Sequence, residues 1–530
     1  MLPSSPKALT PLPCLADHVQ AAAQAIPDAT AMVFGSRRWT YAQLRSEVSA
    51  VARWLLARGL GKGDRLVTLS RPRPEYLILM LATGRAGGIW MGLNPRYTVP
   101  ERTWVLADAR PSFFTFQAPH DPGETNTLAA TLEAMGHLKA KVVFGGEWSG
   151  PTSLAEVLAQ ESAHSDWPLL AAEDPALLVY TSGSTGKPKG ALISHYGLTY
   201  GSLVQAQALR VPRPVLICNL PINHVGCVAD VCAVTLVQGG CLVFQEQFCA
   251  HDMLTAIEQE HVTTWVGVPS MFQMILQQPR FPTTDLSSVQ LVLWGGAAMP
   301  KAVIEELRAR GLRMKAAYGL TESSCHVSFT DDDASTDTLA TTIGRPTPYT
   351  PCRVVDENGE SCPAGTPGEL QIQGRQNFLG YFGNAQATQE AFTQDRWLRS
   401  GDLAEWTADG NLRLLGRRHE MFKSGGYSVF PREIEIALES HPAVAVAAVV
   451  AVPDPLYQEV GVAFVMQRVG HDLTPGALRE YLRERLANYK IPKGLHIVTE
   501  LPVLPIGKID KGRLRAHASE LLVKEPAGAA

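Results

Sequence analysis

The segment TSGSTGKPKG (residues 181–190) follows the apolar run LLVY, a pattern that predicts a strand entering a loop. Gly183, Gly186 and Gly190 would let backbone amides approach a ligand closely, while hydroxyls and two lysines add donors and positive charge. This combination suits a polyphosphate. It does not match the G-x-x-x-x-G-K-[ST] pattern, because Thr181 and Pro188 occupy required positions. A flexible surface loop is the alternative interpretation.

Two further stretches carry side chains that suit a bound nucleotide. In AYGLTE (residues 317–322), Tyr318 could stack on a base, Thr321 could bond a phosphate oxygen, and Glu322 could hold Mg²⁺, which prefers carboxylate oxygen. In SGDLAEW (residues 400–406), Asp402 could accept hydrogen bonds from ribose hydroxyls. Each also has a structural explanation, since a lone Tyr is usually a core residue and Asp after Gly commonly forms a turn.

The composition limits the classes of partner. Lys and Arg number 47 against 51 Asp and Glu, for a net charge of -4, so no global field would attract nucleic acid or an acidic membrane. An anionic partner must therefore be bound by a local site. The length of 530 residues exceeds what one hydrophobic core usually supports, which predicts two or more domains.

The cysteines and the apolar runs bear on the location of the protein. The nine cysteines are odd in number, include no C-x-x-C pair and lie mostly in apolar surroundings, which predicts buried reduced thiols rather than disulfides or a metal cluster. The N-terminal MLPSSPKALTPLP lacks the apolar stretch of a signal peptide. The longest apolar runs fall far short of the roughly 20 residues of a membrane helix. We expect a cytoplasmic protein without an integral membrane segment.

The elements that would position these side chains alternate between helix and strand in the first part of the chain. Thr40 and Gln43 form a capping-box pattern before a helix that should stop at Gly59. Short apolar runs such as DRLVTLS, IWMGLN, PVLICNLP and VQLVLWGG then recur between helical stretches, which predicts parallel sheets covered by helices. Residues 344–416 change to short alternating strands with Gly-rich turns, which suggests a more antiparallel, β-rich subdomain, and an α+β unit follows.

The motifs above occur in order with GRRHEMFKSGGYSVFPREIE (residues 416–435) and LPVLPIGKIDK (residues 501–511). Taken together they resemble the adenylate-forming superfamily, which includes acyl-CoA synthetases, aryl-acid and amino-acid adenylating domains, and firefly luciferase. The resemblance spans nearly the whole chain. It implies an α/β fold with a large AMP-binding N-terminal domain (1–418, with a β-rich subdomain at about 344–416) and a small mobile α+β C-terminal domain (419–530).

The resemblance also assigns roles in binding ATP and Mg²⁺. The phosphate loop corresponds to Thr181, Ser182, Gly183, Ser184, Thr185, Gly186 and Lys189. The adenine would lie between Gly295, Gly296 and Ala297 on one side and Tyr318 and Gly319 on the other. Thr321 and Glu322 match the phosphate and magnesium residues, and Asp402 and Arg417 match the ribose contacts.

Two lysines are expected to serve successive half-reactions. Lys508 matches the catalytic lysine of acyl-adenylate formation. Lys423, Ser424, Gly425 and Gly426 match the face that lines the tunnel for the pantetheine thiol of coenzyme A after the small domain rotates. The hinge position, usually Asp or Lys in the family, is His419, which suggests that domain alternation is pH-sensitive; the alternative is that any residue tolerating the hinge dihedrals suffices.

The acid pocket of relatives corresponds here to a mostly apolar set. Its members are His224, Val225, Gly226, Val228, Val268, Trp294 and Leu320. This set argues against diacids and favours aliphatic acids without excluding aromatic ones, and Trp294 could shorten or redirect the pocket. The leading hypothesis is an acid–CoA ligase. The alternatives are a stand-alone acyl- or aryl-AMP ligase that loads a carrier-protein phosphopantetheine, and a nucleotide-binding protein without turnover. A homodimer is left open.

Overall fold

The computed structural model describes residues 8–119, 122–160, 166–181, 188–418, 420–424, 427–468, 470–503 and 509–524. Within these residues the strands form four sheets. Two are large and carry helices, one is a smaller antiparallel sheet, and the last belongs to the C-terminal unit. This arrangement confirms the predicted α/β fold with a large N-terminal part and a small C-terminal domain.

The nine-stranded sheet has a parallel centre. The runs PVLICNLP, VTTWVGVPS and VQLVLWGG form adjacent parallel strands, as their apolar character predicts. In sheet order the strands are Arg345–Pro346, His326–Phe329, Met314–Gly319, Leu291–Trp294, Thr264–Gly267, Val215–Cys218, Cys241–Phe244, Thr30–Phe34 and Arg37–Thr40.

The eight-stranded sheet contains the two hairpin strands that the Gly/Ser/Thr/Lys loop connects. Its central strands are parallel, whereas the hairpin strands pair antiparallel. In sheet order the strands are Gly380–Tyr381, Lys189–Ser194, Pro175–Thr181, Ile89–Leu93, Arg65–Leu69, Phe113–Gln117, Ala140–Phe144 and Thr152–Ser153.

The segment predicted to be β-rich forms an antiparallel sheet of Cys352–Val355, Gly368–Ile372, Leu398–Trp406 and Leu412–Arg417. The C-terminal sheet consists of Tyr427–Val429, Phe422–Ser424, Gln458–Gln467 and Val444–Asp454, with Gly494–Val498 parallel to Gln458–Gln467. Its long central strands are buried on both faces, because helices pack against it on either side.

Helices cover the sheets and connect their strands. The capping box is confirmed, since Gln43 N–H donates to Thr40 Oγ1 and Thr40 N–H donates to Gln43 Oε1, and the chain turns at Gly59 with φ +77°. The helices are Leu15–Ala25, Tyr41–Ala57, Pro74–Arg85, Val99–Ala109, Pro122–Ala134, Leu154–Ala159, His195–Leu209, Val225–Leu236 (with a π-helical segment, Val228–Ala233), Ala250–Gln259, Pro269–Leu276, Lys301–Ala309, Thr336–Thr341, Ala385–Glu390, Pro431–Glu439, Pro475–Arg483 and Lys511–Lys524.

Most cysteines are buried, as their apolar surroundings predict. Cys218, Cys227 and Cys232 lie together in the core, with Cys218 Sγ 3.7 Å from Cys227 Sγ and 3.6 Å from Cys232 Sγ. Burial raises the pKa of these three thiols well above its ordinary value, so they remain protonated. In the part of the chain that the structure describes, no helix combines the length and apolarity needed to cross a membrane.

Candidate active site

The hairpin of Pro175–Thr181 and Lys189–Ser194 presents the predicted phosphate loop. Thr181 lies opposite Lys189 in the last pair of the ladder, so the loop begins where the pairing stops. A Cβ atom on Gly190 would lie 2.7 Å from Leu178 Cδ1, which explains the glycine at the hairpin's base. The loop residues Ser182, Gly183, Ser184, Thr185 and Gly186 lie outside the described residues.

A cation, a phenol and a carboxylate meet beside this hairpin. The Lys189 ammonium lies 5.3 Å from the centre of the Tyr381 ring, and the Tyr381 hydroxyl donates to Glu322 Oε1 at 2.7 Å. Sheet pairing brings them together, because Tyr381 pairs with Ala191 of the hairpin strand. Burial and the Glu322 carboxylate raise the pKa of Tyr381, so the hydroxyl stays protonated and holds Glu322 beside the hairpin strand Lys189–Ser194.

A second cluster joins the predicted adenine and ribose residues. Asp402 and Arg417 face each other across neighbouring antiparallel strands and form an ion pair, with Arg417 Nε 2.8 Å from Asp402 Oδ1. The Tyr318 hydroxyl donates to the other carboxylate oxygen, Oδ2. Burial raises the pKa of Tyr318 well above its ordinary value, which keeps it a donor. Tyr318 and Tyr381 also belong to one hydrophobic cluster together with Ala191, so the two clusters lie near each other.

The strands Leu291–Trp294 and Met314–Gly319 end side by side, and glycines there let neighbouring residues approach the backbone closely. A Cβ atom on Gly295 would lie 2.9 Å from His326 Nε2, and one on Gly319 would lie 2.5 Å from the Cys325 carbonyl oxygen. Gly296 adopts φ +80°, a conformation that glycine reaches without steric cost. Gly296 and Ala297 are exposed beside this edge, so the structure leaves room for a ligand there.

The predicted acid-pocket residues divide by burial. His224, Val225, Gly226, Val268 and Leu320 keep partial exposure near the strand ends. Val228 and Trp294 are instead at most 1% exposed, and each belongs to a packed hydrophobic cluster. Trp294 shares its cluster with residues of the helices Pro269–Leu276 and Lys301–Ala309, so its part in the pocket remains a prediction.

The C-terminal unit carries the remaining predicted residues. Ser424 pairs with Tyr427 and with Gln458, and Lys423 is exposed beside Ser424. Gly425, Gly426, His419 and Lys508 lie outside the described residues. The two flanks of Lys508 are joined, since Val503 pairs with Ile509 and the Asp510 N–H donates to the Pro502 carbonyl at 2.8 Å.

Sequence reasoning missed several polar residues near these strand ends. Tyr381 gives no local signal, because GYF resembles any aromatic turn. A buried group of Gln205, Asp230 and His326 was also missed. Asp230 did leave a signal, since it is the one charged residue in the apolar stretch VGCVADVCAVTLV. A lone charge in such a stretch must find partners in the fold.

These clusters contain residues predicted to bind a nucleotide, and comparison with known proteins specifies the class of this α/β protein. The family described as AMP-binding enzyme matches residues 19–382, and its C-terminal domain matches residues 433–508. The chain belongs to the AMP-binding enzyme family, which confirms the resemblance seen in the motifs.

Individual relatives cover nearly the whole chain. Feruloyl-CoA synthase of Amycolatopsis sp. is 36% identical over 92% of this chain and 96% of its own length. Indoleacetate–CoA ligase of Aromatoleum aromaticum is 32% identical over 92% and 95%. The crystal structure of ATP-bound MatB from Rhodopseudomonas palustris is 29% identical, with a TM-score of 0.86 over 96% of this chain and 99% of that chain. The protein is an AMP-forming acid–thiol ligase of the acyl-CoA synthetase type, with ATP and CoA as co-substrates.

Proposed function

We propose that the protein activates an apolar carboxylic acid, with aryl acids as the first class to test, and transfers the acyl group to CoA. One observation carries this proposal. The Lys189–Tyr381–Glu322 and Tyr318–Asp402–Arg417 clusters lie near each other, because Tyr318 and Tyr381 share one hydrophobic cluster with Ala191 of the hairpin strand that follows the Gly/Ser/Thr/Lys loop. Such a gathering of donors, a carboxylate and an aromatic ring suits ATP.

Each part of ATP has candidate partners in this arrangement. The loop from Thr181 to Lys189 and Thr321 would bind the phosphates, while Asp402 and Arg417 would orient the ribose. The adenine would lie between the exposed edge at Gly296 and the Tyr318 ring. Glu322 offers the carboxylate oxygen that Mg²⁺ prefers, and the ion would neutralise charge on the phosphates when bound.

The chemistry requires two anions to react. A carboxylate oxygen of the acid bonds to the α-phosphorus of ATP while the bond from that phosphorus to the bridging oxygen breaks, and pyrophosphate leaves with the electron pair. Positive charge from Lys508 and loop amides would stabilise the crowded phosphorus centre. The CoA thiolate then attacks the acyl carbon, AMP leaves, and a thioester remains.

Replacing Tyr381 with phenylalanine should weaken the hold on Glu322. The variant removes a hydrogen bond to a carboxylate while keeping the ring beneath Lys189, so we expect about a tenfold loss in kcat/KM for Mg-ATP in adenylation. Pyrophosphate release measured against Mg-ATP concentration checks this. Tyr457→Phe, at an exposed tyrosine of the C-terminal unit, is the control. Unchanged kinetics in Tyr381→Phe would contradict the assigned role.

The hinge offers a test of pH dependence. Residue 419 links Arg418, whose N–H donates to the Gly401 carbonyl, to Glu420, which pairs with Lys511 at 2.7 Å. Since histidine titrates near neutral pH, we expect the ratio of the two half-reaction rates to change between about pH 5.5 and 8, and to change less in His419→Lys. Separate assays of adenylation and thioester formation measure this ratio. Parallel profiles for both proteins would show that any hinge residue suffices.

The substrate class rests on the pocket and the relatives together. The pocket residues are mostly apolar, and the curated relatives described above act, by their names, on ferulate and indoleacetate. This favours aryl acids over the fatty acids that the apolar sequence pattern alone suggested. Because both relatives are CoA ligases, a stand-alone loader of carrier-protein phosphopantetheine is not favoured.

A screen of aryl and alkyl acids for pyrophosphate release, with and without CoA, tests the proposal. We expect release with one or more aryl acids, AMP as the nucleotide product, and a CoA thioester in stoichiometric yield. Greater turnover with fatty acids would restore the aliphatic alternative. Pyrophosphate release without thioester formation would instead point to a different acyl acceptor.

A further inference from the structure

A buried polar group lies between the helix His195–Leu209, the π-helical segment Val228–Ala233 and the strand His326–Phe329. Gln205 Nε2 donates to Asp230 Oδ1 at 2.8 Å, and the His326 backbone N–H donates to the same oxygen at 3.3 Å. His326 Nδ1 lies 2.9 Å from Gln205 Oε1 and 3.4 Å from Asp230 Oδ1. Gln205 and Asp230 are at most 6% exposed, so these contacts are formed away from bulk water.

The donors and acceptors of this group fit together in one way. His326 Nδ1 faces two oxygen acceptors, so it carries the proton and donates to Gln205 Oε1. The Gln205 amide nitrogen in turn donates to Asp230 Oδ1. In the neutral imidazole, His326 Nε2 is left as an acceptor. The proton on Nδ1 is assigned from the hydrogen-bond network.

Two acceptor atoms remain available at the edge of the group. All the contacts of Asp230 fall on Oδ1, and none of the described residues donates to Oδ2. None of them bonds to His326 Nε2 either, and the side chains of Asp230 and His326 remain 8% and 12% exposed. Burial raises the pKa of Asp230, because an ionised carboxylate loses hydration there. Such a group is costly to keep unless something bonds to it.

The position of these acceptors connects them to the candidate active site. His326 Nε2 faces the Cα of Gly295, since a Cβ there would lie 2.9 Å away. Asp230 lies six residues after His224, on the helix that begins with the predicted pocket residues Val225 and Gly226. The π-helical turn around Asp230 is a feature found often at functional sites.

We propose that Asp230 and His326, ordered by Gln205, form a hydrogen-bond-accepting subsite of the acid pocket that selects acids carrying a hydrogen-bond donor, such as a phenolic hydroxyl, on the acyl group. This inference rests on the proposed function, because it concerns the acid that is activated. Asp230 and His326 act here as specificity-determining residues. An acid without a donor would leave Asp230 Oδ2 buried and unpaired beneath it, which a site built for hydrogen bonding disfavours.

A matched pair of acids tests the subsite. We expect wild-type enzyme to show a kcat/KM for 3- or 4-hydroxycinnamate at least about tenfold above that for cinnamate. Asp230→Asn keeps the shape and the bonds at Oδ1 but replaces the carboxyl oxygen Oδ2 with an amide nitrogen, which donates rather than accepts. The ratio of kcat/KM for the hydroxycinnamate to kcat/KM for cinnamate should fall by about tenfold in this variant. Thr235 is a buried residue on the same helix whose hydroxyl, among the described residues, bonds only to the Val231 carbonyl, and Thr235→Val should keep the wild-type ratio.

Calorimetric titration of the same acids into the enzyme separates this inference from the proposed function. Selective binding of a hydroxycinnamate, lost in Asp230→Asn, supports the subsite even without pyrophosphate release, and the missing release would count against the proposed function. Equal pyrophosphate release with hydroxylated and unsubstituted acids supports the ligase and overturns the subsite. The subsite is also overturned if neither the hydroxycinnamates nor cinnamate bind, or if the preference for the hydroxylated acid is unchanged in Asp230→Asn.

Discussion

Acyl-adenylate formation by Lys508→Ala is expected to be slower than wild type by about 100- to 1,000-fold, since one positively charged donor to the transition state typically lowers the barrier by that amount. The second half-reaction should proceed at close to the wild-type rate, because thioester formation from a preformed adenylate needs no charge at the α-phosphate. Pyrophosphate release reports the first step, and conversion of synthetic acyl adenylate to thioester reports the second.

The two steps are expected to depend on different parts of the chain. Val503 and Ile509, which flank Lys508 in the sequence, pair within the C-terminal unit, whereas the strands Pro175–Thr181 and Lys189–Ser194 belong to the eight-stranded sheet. Arg513→Ala, which removes an exposed positive charge from the following helix, is the matched control and should leave both steps unchanged. Equal loss in both half-reactions of Lys508→Ala would indicate general damage, and an undiminished adenylation rate would refute the assignment.

Glu322→Gln is expected to lower adenylation by at least about 100-fold at moderate Mg²⁺ and to raise the Mg²⁺ concentration needed for half-maximal rate. An amide is a weaker ligand for a hard cation than a carboxylate, and it also weakens the bond from the Tyr381 hydroxyl. The rate measured across a wide range of free Mg²⁺ checks both effects.

A second carboxylate provides the comparison for that experiment. Glu305, exposed on the helix Lys301–Ala309, can be changed to glutamine without touching either cluster. If Glu322 only positions Tyr381, then Glu322→Gln and Tyr381→Phe should show the same loss, and the Mg²⁺ midpoint should stay at the wild-type value. If the Mg²⁺ concentration for half-maximal rate changes in Glu322→Gln but not in Tyr381→Phe, the result supports Glu322 as a metal ligand.

Local patterns in the sequence predicted most elements correctly. The capping box at Thr40 and Gln43 formed as expected, and the apolar runs became parallel strands buried on both faces. These features depend on residues a few positions apart, whose periodicity and hydrogen-bonding groups are visible in the sequence. The change of texture after residue 344 likewise predicted an antiparallel sheet, because alternation every second residue is a property of each strand.

The partners of the site residues could not be predicted in this way. Tyr381 bonds to Glu322 across 59 residues, Tyr318 to Asp402 across 84, and the His326 amide to Asp230 across 96. Each contact depends on which strands and helices are neighbours, and within a sheet a shift of one residue would turn the side chain to the other face. For the same reason, sequence could propose Trp294 as a pocket wall but not reveal that its ring lies in a packed core.

The sequence by itself determined the chemistry available to this protein: a loop of glycines, hydroxyls and lysines after a strand, a carboxylate for a cation, and a lysine near the end of the chain. Only the tertiary structure decided which of these groups meet and which neighbours tune them, including the buried Asp230 that no motif contains. The physical reason is that residue types and local periodicity are properties of short segments, whereas burial and pairing arise when sheets and helices distant in sequence pack together.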